Sequence, residues 1–213
     1  MNLMDKLEIL KKECDVSYKF ISGKVEKAKK LGYIIRLMDP QEQEEGLIGF
    51  FDHNTGELLI DPNLDSMDFA ETLLHEYYHM IQLESESSYW REWAALPDVE
   101  DEGVDLLTFR KIMHATKVLE WDCEARCIAD VLEGKLKTDL TSLYTAANLN
   151  VLQHDVQAVC GRGALYPYQD SEYLREIVPN DTLVYNLSEL PNKVEVFSVM
   201  KEAMFHNVRR DWT

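Results

Sequence analysis

The chain has 213 residues, of which 46% are hydrophobic and 10% aromatic, so it is long enough for one folded domain with a sizeable core. Its 39 acidic residues against 22 basic ones give a net charge of −17, which repels phosphate backbones and excludes nucleic acid as an expected partner. The N-terminal segment is charged throughout and no apolar run approaches the about 18 residues of a membrane span, so we expect no signal peptide, no membrane contact, and a cytoplasmic location with free cysteine thiols.

The first predicted elements are helices, a strand and a hairpin. Residues 3–30 mix apolar and charged side chains at helical spacing and predict one long helix or two short ones, with Gly23 as the weak point. Residues 32–38 predict a strand, and the acidic segment at 39–46 predicts a loop. Residues 47–62 contain two apolar runs around an Asn-Thr-Gly sequence, which indicates a β-hairpin.

The rest of the chain is predicted to be mainly helical. One helix begins at Asp65 or Ser66, both good N-cap residues, and runs to about residue 83. An acidic, serine-rich stretch then interrupts the pattern, and residues 161–193 are irregular. Further helices are predicted over residues 104–132, 139–160 and 194–208.

These elements predict the fold class and the domain organisation. The class is α+β and mainly helical, with a small antiparallel or mixed sheet ahead of the helix that begins at Asp65. We expect residues 1–213 to form a single domain. Within it, residues 1–135 hold the sheet and the helices that carry the candidate metal ligands, and residues 136–213 form a helical C-terminal part.

The sequence His-Glu-Tyr-Tyr-His at positions 75–79 lies in the middle of this helix. Residues four apart stack on one helical face, so His75 and His79 can both direct a ring nitrogen at one ion, and zinc accepts such nitrogens at about 2.0–2.1 Å. Glu76 is rotated by about 100° from His75, where its carboxylate can act as a general base on a metal-bound water. The spacing is therefore typical of a zinc-hydrolase site.

A catalytic zinc site needs a third protein ligand and leaves a fourth position open for water. The downstream candidates are Glu120, Glu124 and His114. The two glutamates are one helical turn apart, so one can bind the metal while the other supports a histidine. The metzincin class is excluded, because Gln82 and Ser85 stand where its extended motif requires glycine and histidine.

This combination of residues resembles the gluzincin branch of the zincin metallopeptidases, and the small size is similar to compact zincins of bacterial and phage genomes. The resemblance covers residues 46–130 and implies Zn²⁺-dependent hydrolysis of a peptide or protein substrate, with Glu76 as the catalytic residue. By the family pattern Glu120 maps to the third metal ligand and Glu124 to the residue that orients a zinc histidine. The family more often has aspartate at the orienting position, so Glu124 stays an alternative ligand.

The resemblance implies two further features. A strand upstream of the metal helix borders the active-site cleft in zincins, and residues 56–62 are either that strand or an ordinary hairpin arm. Zincins also commonly use a downstream tyrosine or histidine to stabilise the oxyanion. The candidates by residue type alone are His154, Tyr166, Tyr168 and His206.

Two other functions stay open beside the peptidase. The first is a zincin-fold protein that holds its metal without catalysis and works as a binding or regulatory module. The second is a metal-free helical protein whose acidic surface binds a basic partner.

Overall fold

A computed structural model describes residues 2–43, 47–99, 101, 103–161 and 171–208. The protein is mainly helical with a small mixed sheet, which confirms the predicted α+β class. Within these ranges every helix is too short or too polar to span a bilayer. The chain divides into two compact units: unit 1 comprises residues 1–87 and 126–138, and unit 2 comprises residues 88–125 and 139–213.

Unit 1 begins with two helices, α1 (Leu3–Glu13) and α2 (Asp15–Lys30). The predicted helical segment is therefore broken, but at Cys14, whose φ of −150° and ψ of 95° are extended. Gly23 lies inside α2 and does not interrupt it. A glycine costs a helix only about 1 kcal/mol relative to alanine, and burial of nearby Ile21 offsets this cost.

Three short strands form the sheet of unit 1: β1 (Ile34–Leu37), β2 (Gly49–Asp52) and β3 (Glu57–Ile60). A short helix, α3 (Pro40–Gln43), lies in the predicted loop between β1 and β2. The strand order is β1-β3-β2, with β1 parallel and β2 antiparallel to β3. The predicted hairpin is thus confirmed. β3 is paired on both sides over residues 57–60, so an extended substrate cannot add to it as a further strand; among the described strands, β1 and β2 lie at the edges of the sheet.

The next helix, α4 (Ser66–Glu84), carries the His-Glu-Tyr-Tyr-His sequence. The side chain of Asp65 caps it by accepting hydrogen bonds from the backbone N–H groups of Met67 and Asp68. Most residues of α4 are buried, and the helix packs against α1, α2, β2 and β3. It is therefore the central helix of unit 1.

The two tyrosines between the histidines hold α4 against α2. The Nζ atom of Lys24 lies 4.7 Å from the ring centroid of Phe20, 4.8 Å from that of Tyr77 and 5.1 Å from that of Tyr78. Burial lowers the pKa of Lys24, although the charge of Asp130 acts in the opposite direction. The hydroxyl group of Tyr78 donates a hydrogen bond to Asp130. Both tyrosines thus face the core, which agrees with helical periodicity, since it turns them away from the face of the two histidines.

Unit 2 is built from helices. Asp139 caps the helix that begins at Leu140. Ser171 caps a short helix that begins at Glu172, within the segment that was predicted to be irregular. The helix after residue 87 also lies where the sequence indicated no element. The helices are α5 (Ser88–Ala94), α6 (Leu106–Leu132, which belongs to unit 2 up to residue 125), α7 (Leu140–Cys160), α8 (Glu172–Ile177) and α9 (Lys193–Val208).

Side-chain hydrogen bonds order the segment between α8 and α9. The fully buried amide of Asn148, on α7, donates to the backbone oxygens of Pro179 and Thr182, both at 2.8 Å, and accepts from the backbone N–H of Val184 at 2.7 Å. The buried ammonium of Lys117 donates to Oδ1 of Asn186 at 2.9 Å. No periodic pattern in the sequence indicates such contacts, which is why this segment was predicted to be irregular.

Gly49 marks a close approach of β2 to α4. A Cβ atom at this position would overlap Cγ2 of Thr72 and lie 2.8 Å from Oε1 of Glu76. We therefore expect Gly49→Ala to lower the free energy of unfolding by about 1–3 kcal/mol, because the strand or the helix must shift. Urea unfolding of the parent and the variant measures the difference.

Gly23→Ala provides the matched control for this substitution. No atom lies within 4 Å of the position that its Cβ would take, and the residue is inside α2. This variant should raise the free energy of unfolding by about 0.5–1 kcal/mol. Equal stability of Gly49→Ala and the parent would contradict the close approach of β2 to α4.

Candidate metal centre

His75 and His79 lie one turn apart on α4 and bring two ring nitrogens together. Their Nε2 atoms are 3.0 Å apart, and the ring planes meet at 77°. Two nitrogen ligands of a tetrahedral zinc ion, at about 2.0–2.1 Å from the metal, are about 3.3 Å from each other. At the observed distance the two nitrogens cannot both carry a hydrogen atom, so at least one of them presents its lone pair.

A hydrogen bond fixes the ring of His79 from its other side. Nδ1 of His79 is 3.1 Å from Oε1 of Gln82, and both side chains are buried. A carbonyl oxygen only accepts, so the hydrogen of the neutral ring is on Nδ1 and its lone pair is on Nε2, which lies beside His75. Neutral imidazole is the form in which histidine binds a metal. The donor set therefore fits a zinc ion.

This hydrogen bond was not predicted, because Gln82 served only to exclude the metzincin class. The available signal was its position three residues after His79, which places both side chains on one face of the helix.

Glu76 is buried on α4, and its carboxylate lies beside the first residue of β2. Gly49 leaves the space that this carboxylate occupies, since a Cβ there would be 2.8 Å from Oε1 of Glu76. The residues on either side of Gly49 expose apolar side chains to solvent, Ile48 by 59% and Phe50 by 45%. The predicted general base is thus next to an edge strand with apolar side chains.

In unit 2, one amide holds the two candidate glutamates of α6. Nδ2 of Asn150 donates to Oε2 of Glu120 and to Oε1 of Glu124, both at 3.0 Å. Oδ1 of the same amide accepts from Nε2 of Gln153 at 2.9 Å. The carboxylates are therefore oriented by α7 rather than being an ordinary solvated helix face. Asn150 belongs to no motif, so the sequence offered no signal for this role.

The third candidate ligand, His114, has a different environment in unit 2. Its exposed side chain lines an open groove of about 410 Å³ together with Leu96, Leu107 and Val118. The groove is formed by residues of α5 and α6 and by the segment between them. His114 thus lines this groove rather than the network around Asn150.

Among the four candidate oxyanion donors, the structure describes one side chain, that of His154. Its Nδ1 is 2.9 Å from Oε1 of Gln157, so its Nε2 carries the lone pair, and this nitrogen is buried without a hydrogen-bond partner in the described part of the chain. A nitrogen with a lone pair cannot donate to an oxyanion, so this arrangement does not suit the predicted role. Tyr166 and Tyr168 lie outside the described residues, and only the backbone of His206 is described, in α9.

Comparisons of the chain with protein-family models, curated proteins and solved structures find no match. No residue role is therefore transferred from a relative, and the resemblance of the motif to the gluzincins stays a prediction.

Burial lowers the pKa of His154 below its usual value of 6.5, and the nearby charge of Glu120 opposes this effect only in part. The folded state thus keeps the ring neutral at pH values at which the unfolded chain protonates it. We expect the free energy of unfolding of the zinc-free protein to decrease as the pH falls below about 6.5, because the unfolded state then binds the additional proton.

Urea unfolding at several pH values between about 5 and 7.5 measures this dependence. His154→Phe should weaken it, because the titrating group is gone. His53→Ala, which removes an exposed histidine between β2 and β3, serves as the control and should keep it. The same pH dependence in His154→Phe and the parent would assign the effect to other groups.

Proposed function

We propose that this chain is a zinc-dependent metallopeptidase in which His75 and His79 bind the metal. The proposal rests mainly on the distance of 3.0 Å between the two Nε2 atoms, which lie on a largely buried, capped helix. The hydrogen bond from His79 to Gln82 supports the proposal, because it leaves the nitrogen beside His75 with a lone pair.

We assign the third ligand to Glu120. In the gluzincins that the motif resembles, a glutamate on a later helix is the third ligand, and Glu120 is the residue that maps to it. Two imidazoles and one carboxylate are a ligand set of catalytic zinc, which leaves the fourth position for water. Glu124 shares the amide of Asn150 with Glu120 and stays the alternative ligand.

When bound, zinc lowers the pKa of its water toward about 7 and polarises a carbonyl oxygen. Glu76 follows His75 directly and is rotated off the ligand face, so its task is to move the proton. Its carboxylate takes a proton from the attacking water and delivers it to the amine that leaves when the peptide bond breaks.

The substrate surface is the edge of β2 rather than β3. An extended peptide can add to the unpaired side of an edge strand through main-chain hydrogen bonds. Gly49 brings this strand close to the carboxylate of Glu76. The exposed side chains of Ile48 and Phe50 offer apolar contacts to such a peptide.

Glu76→Gln separates catalysis from metal binding. The variant keeps the size of the side chain but removes the base, so it should hold one zinc ion per chain and hydrolyse peptides at least ~10²–10⁴-fold more slowly than the parent. Elemental analysis measures the metal, and mass spectrometry of a diverse peptide library with zinc present measures cleavage.

Histidine variants complete this test. His75→Ala and His79→Ala should lose tight zinc binding, whereas His53→Ala should retain it. A parent protein that takes up no zinc at neutral pH would rule out the metal centre and favour the metal-free interaction protein. A parent that holds zinc but cleaves nothing in the library would favour the binding module, and equal cleavage by Glu76→Gln and the parent would refute the assigned base.

Glu120→Ala and Glu124→Ala distinguish the two candidate ligands. Each variant loses one hydrogen bond of 3.0 Å to the same amide of Asn150, so the two variants are comparable in this respect. We expect Glu120→Ala to abolish tight zinc binding and Glu124→Ala to weaken it by at most about 10–100-fold, as for a residue that supports a ligand.

Zinc titration against a chelator of known affinity measures both effects. The reverse order would make Glu124 the ligand. Parent-like affinity of both variants would remove both glutamates from the site and leave His114 as the next candidate.

A further inference from the structure

We infer that Gln82 is a positioning residue for His79: its side-chain oxygen holds the imidazole in the tautomer that directs the Nε2 lone pair toward the metal position. The inference rests on the proposed function in one respect, which is that His79 is a metal ligand. The hydrogen bond itself belongs to α4 and does not require a bound metal.

The chemistry of the contact determines the tautomer. Oε1 of Gln82 is 3.1 Å from Nδ1 of His79 and can only accept, so Nδ1 is the donor. A neutral imidazole carries one hydrogen atom, which leaves Nε2 without one. This is the nitrogen that lies 3.0 Å from Nε2 of His75. Without the acceptor, the hydrogen of His79 can move to Nε2 and occupy the position where the metal would bind.

The burial of Gln82 indicates that its polar group has a specific role. Its side chain has 0% exposure on a helix that otherwise buries mainly apolar residues. Burial of an amide costs free energy unless the amide is hydrogen-bonded, whereas methionine or leucine would fill the space without that cost. Packing alone therefore does not account for glutamine at this position.

The chain repeats the same arrangement on α7, where it provides a control. His154 and Gln157 are also three residues apart, with Nδ1 of the histidine 2.9 Å from Oε1 of the glutamine. Both side chains are buried. Removing the amide of Gln157 thus imitates the structural cost of removing that of Gln82, but at a histidine to which we assign no metal.

The first experiment is a zinc titration of the full chain against a competing chelator. Gln82→Met should bind zinc about 10–100-fold more weakly than the parent, because the ring of His79 loses the partner that orients it. Gln82→Glu retains an acceptor oxygen and should stay at or above the parent affinity, because a carboxylate also makes the ligand more basic. Gln157→Met should bind zinc as the parent does.

The second experiment follows the ring nitrogens of His79 by NMR in the zinc-free protein. In the parent and in Gln82→Glu, the hydrogen should be on Nδ1; in Gln82→Met, the Nε2-protonated form should become populated. Circular dichroism confirms that each variant is folded, and the tautomer is a readout that a purely structural role of Gln82 would not change.

The outcomes separate this inference from the proposed function. If the parent binds zinc and Gln82→Met binds it equally well, or if the tautomer is the same in both, Gln82 does not position His79, although the metal centre stands. If Gln157→Met loses as much zinc affinity as Gln82→Met, the effect is general destabilisation and the inference is wrong. If the parent binds no zinc, the proposed function fails, and with it the role of Gln82 toward a metal, while NMR still shows whether Gln82 sets the tautomer.

Discussion

One turn of helix between His75 and His79 sets the geometry on which the proposed chemistry depends. The rise and rotation of an α-helix bring the two Nε2 atoms to 3.0 Å without any contribution from a loop. This part of α4 is held in place by its surroundings, because the helix is capped at Asp65 and packs against two helices and the sheet. A site on such a rigid element needs little reorganisation to receive an ion.

Helix α4 both packs into the core of unit 1 and carries the two histidines. The face of α4 that carries Tyr77 packs into the core and against Lys24, whereas Glu76, His79 and Gln82 introduce buried polar groups. Each buried polar group needs a partner, since an unpaired one costs about 1–3 kcal/mol. His79 and Gln82 satisfy part of this need for each other. The ordinary apolar packing of unit 1 supplies the stability that such a helix requires.

The parts of the site that the sequence predicted are those that depend on local geometry. The histidine spacing, the direction of Tyr77 and the cap at Asp65 follow from helical periodicity, which acts over a few residues. The network around Asn150 joins two helices that are distant in sequence, so no local pattern indicates it. The position of β3 between β1 and β2 is also non-local, because parallel pairing joins strands that are not neighbours in the chain.

Unit 1 consists of two segments that are synthesised at different times. Residues 1–87 are synthesised before residues 126–138, which belong to the same unit but are separated from them in the chain by part of unit 2. Asp130, which accepts from the hydroxyl group of Tyr78, and Lys137, whose backbone N–H donates to Ser17 at 3.0 Å, leave the exit tunnel only after α5 and most of α6. The helix that carries the two histidines is therefore synthesised well before its own unit is complete, and a nascent chain that ends before residue 126 lacks part of its packing.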